Sequence, residues 1–234
     1  VTITYTGVPD VTIEQLKTNS SGQTETIELP APPLEYSLEP VEQMPYSEYN
    51  VSVTAPGYEP VMVSGTELLP DVTALQPIQM TPLQTAREDE DVIVIPDHTL
   101  YGEYPPKIPE DEIKPVDESG EIVLSRVVIP EYVIVHDGVP EDSTAANYYV
   151  KYRDYIKNVA SSEIYATWPE STVYANILAI MSFTLNRVYT EWYRNKGYDF
   201  TITSSTAYDQ KWMRGRNIYT NIDRIVDSIF NNYL

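Results

Sequence analysis

Hydrophobic positions along the chain keep two different periods, and the change of period divides it. From residue 1 to about 83, short runs of Val, Thr, Ile and Tyr alternate with polar residues and are broken by turn signals. "VTITYTG", "QTETIELPAPP", "EYSLEP", "EYNVSVTAPGYEPVMVSG" and "ALQPIQMTPL" each predict strand. Alternation is clearest at Tyr49, Val51 and Val53, which share one face of a strand. Ser20-Ser21-Gly22 and Pro56-Gly57 supply turns between strands. The opening "VTITYTG" enters a strand in mid-flow, without an initiator Met or a signal-like region, so a processed or truncated N-terminus is expected.

From about residue 131 to 234 the period lengthens. "YVIVHDG" and "NYYVKYRD" predict strands, after which Tyr155, Ile156, Val159 and Ala160 fall on one helical face. Pro169 suits the first position of a second helix, in which Val173, Ile177, Ile180, Met181, Thr184, Leu185, Val188 and Trp192 recur every three or four residues. Gly197 predicts its stop. "YDFTITSSTAYDQ" returns to strand and loop, and Ile218, Ile222, Ile225, Val226, Ile229 and Phe230 stripe a closing helix. Between the two regions, residues 84–130 are dense in Pro and acids. Pro removes backbone donors and biases its neighbours to extended forms, so an irregular strap is expected there. Within it "DVIVIP" adds an edge strand, and "EDED" and His98 are solvated. The fold class is α+β.

Composition narrows the chemistry. The 234 residues are 42% hydrophobic with 20 Tyr, which is globular material. With no Cys there is no disulfide framework and no thiolate nucleophile or ligand. A net charge of −20 argues against nucleic acid and anionic membrane surfaces as partners. No run of about 18 apolar residues exists, so no membrane insertion is expected. Two distant His residues predict no transition-metal site. "HDGVPEDS" (136–143) lacks EF-hand spacing and reads as a plain acidic loop, with His136 a structural or surface residue. There is no Gly-rich phosphate loop and no Ser-His-Asp set.

One acid stands in an unusual place. In "VASSEIYATWPES", Glu163 falls at the joint of two predicted helices, beside Ile164, Tyr165 and Trp168. Such surroundings desolvate a carboxylate and raise its pKa, which suits proton donation to a glycosidic oxygen. The bland reading is a helix-end residue in a hydrogen bond. Tyr189, Trp192 and Tyr193 offer either a stacking platform for sugars or, at helical spacing, a piece of core.

Two resemblances add to this. Thr18 to Gln23 and Val51 to Tyr58 fit the T-x-x-x-G-x turn and V-x-V-x-A-x-G-Y strand of the carboxypeptidase-regulatory-like (transthyretin-like) β-sandwich. That likeness implies a scaffold or pro-region over residues 1–83, without chemistry of its own. "YIKNVASSEIYATWPESTVYANILAIMSFTLNR" resembles the opening motif of the SpoIID/LytB lytic transglycosylase domain, with Tyr155, Val159, Glu163, Trp168, Pro169 and Ala175 in register. "FTITSSTAYDQKWMRG" resembles the later I-x-x-T-T-x-D-Q-x-Y-x-G element, which places Thr206, Gln210 and Gly215. Residues 126–234 are similar, more closely still, to clostridial spore cortex-lytic enzymes (SleC-like).

These likenesses imply a peptidoglycan lytic transglycosylase with Glu163 as its single acid/base and with Asn176, Thr206, Gln210 and Trp168 binding substrate. No metal or cofactor is implied. The partners implied are peptidoglycan glycan strands and an activating serine protease that cuts near Ile122 to Ser125. The location implied is secreted or spore-associated, in the cortex or cell wall of a Gram-positive bacterium. Departures from the family pattern are Met181 where an Arg is usual, with Arg187 further along the helix, and Asn176 where Gln is usual. The family also continues past the equivalent of Leu234, which implies a domain incomplete at its C-terminus. The rival reading is a non-catalytic wall-binding or structural module. A zinc amidase is disfavoured because the ligands are missing.

Overall fold

The computed structural model describes residues 1–83, 90–109 and 124–233. Among these the fold is mixed α+β, with three sheets and four helices. The N-terminal strands β1 (Thr2–Tyr5), β2 (Val8–Gln15), β3 (Ser47–Val53) and β4 (Val61–Leu68) pair antiparallel in the order β2-β1-β3-β4. β6 (Asp91–Val94) then adds to the far edge, parallel to β4 with Val63 opposite Ile93. "DVIVIP" is thus the edge strand expected of it. Ile3, Tyr49, Val51, Val61 and Val63 bury one side of this sheet.

Two strand expectations in this half need correction, and one strand went unassigned. "VPDVTIEQ", unassigned in the sequence, is β2. "QTETIELPAPP" joins no ladder among the described residues, since Pro30, Pro32 and Pro33 have no N–H to offer. "EYSLEP" forms one helical turn, α1 (Glu35–Leu38), closed by Tyr36 N–H to Pro33 O and Ser37 N–H to Leu34 O. β1 to β4 gather in one five-stranded sheet with β6, and the short Ala74–Leu75 strand pairs elsewhere. A facing second sheet, which a sandwich requires, is not formed among the described residues.

In the C-terminal half, β7 (Tyr132–His136) pairs antiparallel with β8 (Asn147–Lys151) and parallel with β9 (Ile202–Thr203). β8 runs straight into α2 (Tyr152–Glu163), which is followed by α3 (Glu170–Tyr189) and α4 (Thr220–Ile229). Tyr155, Ile156, Val159 and Ala160 of α2 meet Val173, Ile177 and Met181 of α3 and Ile222, Ile225 and Val226 of α4 in one core. The periodic stripes are therefore the buried faces. Met181 is wholly inside this core, an aliphatic packing residue rather than a ligand-facing one.

α3 stops earlier than its apolar stripe. Thr190 turns its hydroxyl back to Asn186 O, and Glu191 takes a positive φ of 50°, so Trp192 leaves the helix. Trp192 and Tyr193 are buried with Phe200 in a satellite core, which overturns the stacking-platform reading for both.

The two halves share their interior. Tyr46 and Leu69 belong to the helical core. β10 (Ile218–Tyr219) pairs with β5 (Ala74–Leu75). Asn217 brackets Glu67, donating Nδ2 to its carbonyl at 2.9 Å and accepting its N–H at 3.2 Å.

Candidate functional site

α2 ends at Glu163 because Ile164 turns extended, with φ −134° and ψ 145°. A turn follows, closed by Trp168 N–H to Tyr165 O at 3.1 Å and tied to α4 by Asn221 Nδ2 to Ala166 O at 2.7 Å. Pro169, at ψ 139°, then opens α3. Glu163 is thereby fixed at the joint of two helices, as the sequence predicts.

The Glu163 carboxylate is partly buried, and Oε1 accepts the backbone N–H of Lys211 at 2.6 Å. Burial pushes its pKa above the ordinary carboxylate value, while the Lys211 N–H and the nearby Lys107 ammonium pull it down. Among the described residues it belongs to none of the ion pairs within 4 Å. The acid therefore has one fixed donor, a cation acting on it and a desolvating setting. A carboxyl shifted upward in this way keeps its proton to higher pH than an ordinary one and can give it to a base in reach.

The side chains of the other residues implied by resemblance make contacts of their own. Gln210 is buried, with Oε1 accepting from Tyr155 OH (3.3 Å) and Thr184 Oγ1 (2.8 Å) and Nε2 donating to Ile180 O (3.0 Å). It pins α2 to α3 through both ends of its amide. Asn176 returns its amide to Thr172 O, one turn back on its own helix. Trp168 packs edge-on against Tyr165 and donates its indole N–H to Ser37 O of the N-terminal half, at 2.9 Å. Thr206 is half-buried in the loop after β9. Arg187 is buried. Its Nε pairs with Asp209 Oδ1 at 2.7 Å in the interior, and Asp209 Oδ2 is held by Tyr193 OH and by the N–H and hydroxyl of Thr203.

What the sequence did not foresee is the segment lying across the joint. Residues 95–109, in the expected irregular strap, are bonded on both flanks of Glu163. Thr99 donates its N–H (3.3 Å) and its hydroxyl (2.8 Å) to Ser162 O. Ile108 N–H reaches Ala207 O at 2.7 Å, and Lys107 Nζ reaches Asp209 O at 2.8 Å. A small recess of about 10 Å³, room for about one water, remains beneath, lined by His98, Tyr104, Ser162, Lys211, Met213 and Arg216 among others.

His98 at the head of the strap is only 1% exposed, not solvated as expected. Its N–H donates to Tyr46 OH, and its ring lies 4.6 Å from that of Tyr165. Burial and the Arg216 guanidinium hold it well below its usual pKa, partly offset by the Ile164 backbone. Nδ1 accepts Leu100 N–H, so the proton of the neutral ring sits on Nε2.

His136 is structural, set between Asn147 Oδ1 (2.7 Å) and Val139 O (3.1 Å) and stacked on Phe200. Among the acids of the 136–143 loop, Asp142 caps Thr144 and Asp137 accepts from Ser204 Oγ. Among the described residues no group of three or more His, Asp or Glu side chains is placed to hold a metal ion. The same residues include no helix long and apolar enough to cross a membrane. The expected processing site begins at Ile122 and Val123, which lie outside the described residues.

No family model matches the chain, and no curated protein or solved structure matches it either.

Proposed function

We propose that this protein is a peptidoglycan lytic transglycosylase, of spore cortex or cell wall, in which Glu163 is the single acid/base. The observation that carries the reading is the setting of that carboxyl: fixed at a helix end by one N–H, outside the ion pairs among the described residues, and pushed up in pKa by burial. Protonated Glu163 gives its proton to the glycosidic oxygen between MurNAc and GlcNAc as the bond to C1 breaks. The carboxylate then takes the proton of the muramyl C6 hydroxyl, whose oxygen bonds to C1 and leaves a 1,6-anhydro end. No water is consumed, and a second carboxylate is not needed. The SpoIID-like motif around Glu163, Trp168 and Pro169 supports the same assignment. By the same resemblance the chain is made as a pro-enzyme, exported in a Gram-positive bacterium and opened by a serine protease, with the N-terminal β region as part of its pro-segment.

The test is digestion of purified cortex and vegetative peptidoglycan by the protein and by Glu163→Gln, with mass spectrometry for anhydro-muramyl ends. Ends released by the first and not by the second are expected. Equal release by both overturns the reading.

A second reading, a non-catalytic wall-binding module, is favoured by the internal use of the Gln210 and Asn176 amides and by the burial of Met181. Binding to sacculi by both forms without product would establish it.

A further inference from the structure

The strap is attached in an uneven way. Each of the four bonds described above, from Thr99 N–H, Thr99 Oγ1, Lys107 Nζ and Ile108 N–H, is donated by the strap and accepted by a backbone carbonyl of the C-terminal half. Ser162 O belongs to the last turn of α2, where a carbonyl has no partner within its own helix. Ala207 O and Asp209 O lie in the loop that carries Lys211 to Glu163. Carbonyls of this kind must be satisfied by something, and when the strap is elsewhere that is water or a ligand.

Resting on the reading of Glu163 given above, we infer that residues 99–108 occupy the glycan groove as a built-in ligand, and that Ser162 O, Ala207 O and Asp209 O are acceptors that sugar hydroxyl and acetamido N–H groups take over. A hydroxyl and an amide N–H on one residue, as Thr99 presents to Ser162 O, are also the two donors of an N-acetylated sugar. A nucleic acid or other polyanion brings acceptors instead, and meets a chain of net charge −20.

The attachment suits release. Lys107 and Ile108 are exposed, so little apolar area holds this end down. Arg216 Nε, at the edge of the small recess beneath, makes no hydrogen bond among the described residues. A contact built only for stability pairs such groups. Lys107 adds an electrostatic part, because its ammonium acts on Glu163 and leaves with the strap.

The experiment uses the whole chain and a hexamer of β-1,4-linked N-acetylglucosamine as probe. Amide exchange is followed by NMR at Thr99 and Ile108, and hexamer affinity by calorimetry for the unaltered protein and for Lys107→Met/Ile108→Pro. A saturating hexamer is expected to speed exchange at both amides at least tenfold, an effect opposite to ordinary protection by a ligand. The double variant is expected to bind at least tenfold tighter. Hexamer bound with both amides still protected, a variant that binds no tighter, or no binding by either form overturns the inference. Displacement of the strap together with digestion indifferent to Glu163→Gln sinks the catalytic reading alone. Digestion that depends on Glu163 with a protected strap sinks this one alone.

Discussion

Arg216 donates from Nη2 to Glu67 Oε2 at 2.5 Å, across 149 residues of sequence, with both side chains buried. The same nitrogen reaches Ser161 O in the last turns of α2, so one guanidinium joins the N-terminal sheet to the helix that carries Glu163. Burial raises the Glu67 pKa, and Arg216 opposes that shift. The joint between the halves is thus a charge pair taken out of water, in which each member depends on the other.

Removing one member leaves the other buried and uncompensated. Glu67→Ala is expected to cost about 3–5 kcal/mol in urea unfolding, whereas Glu67→Leu combined with Arg216→Met recovers most of that loss. A double variant no better than the single one would show that the pair is not the origin of the effect.

Glu163 predicts a pH dependence of stability. A carboxyl whose folded pKa is raised costs stability above its unfolded value, near 4.5, and that cost disappears as the pH falls and both states protonate. Glu163→Gln is therefore expected to have the higher Tm at pH 7 and the same Tm as the parent at about pH 4. Calorimetry across that range checks the sign, and a variant equally or less stable at pH 7 contradicts it.

Gly65 allows β6 and the strap to dock. It sits at φ 85°, and a Cβ there would lie 2.6 Å from the backbone oxygen of Ile95. Gly65→Ala forces backbone to move, at about 1–3 kcal/mol for the strained conformation alone. Faster amide exchange is expected in residues 91–99, whereas β1 and β2 keep their protection.

Trp168 separates two roles by one atom. Trp168→Phe keeps a ring against Tyr165 but deletes the N–H to Ser37 O, and is expected to cost about 1 kcal/mol. Unchanged glycan affinity in that variant marks Trp168 as a tie between the halves. A tenfold loss marks it as part of the groove.

The helices were legible because their stripes bury one face, as at Val173, Ile177 and Ile180, and local period reports burial. β2 was not, because seven of its eight positions from Val8 to Gln15 are exposed, all but Ile13, and lack alternation worth reading; pairing with β1 makes it a strand. His98 was misplaced for a related reason. Its Pro-rich acidic neighbours read as linker, while its burial comes from Tyr46, Tyr165 and Arg216, all distant in sequence. The position of Glu163 at a helix joint could be read directly. Its partner, the amide of Lys211, lies 48 residues away and carries no side-chain signature. The acceptors at Ser162, Ala207 and Asp209 are backbone atoms, which any residue supplies.

The ladder between β5 and β10 has a consequence for any cut in the chain between the halves. A cut anywhere between Pro109 and Leu124 severs the covalent link between the halves, yet Ala74–Leu75 stays zipped to Ile218–Tyr219 and Tyr46 stays within the helical core. The immediate product is a nicked two-piece assembly. Its two fragments co-migrate on a sizing column and separate only in denaturant, so departure of the N-terminal piece, rather than peptide-bond cleavage, sets the pace at which the remainder stands alone.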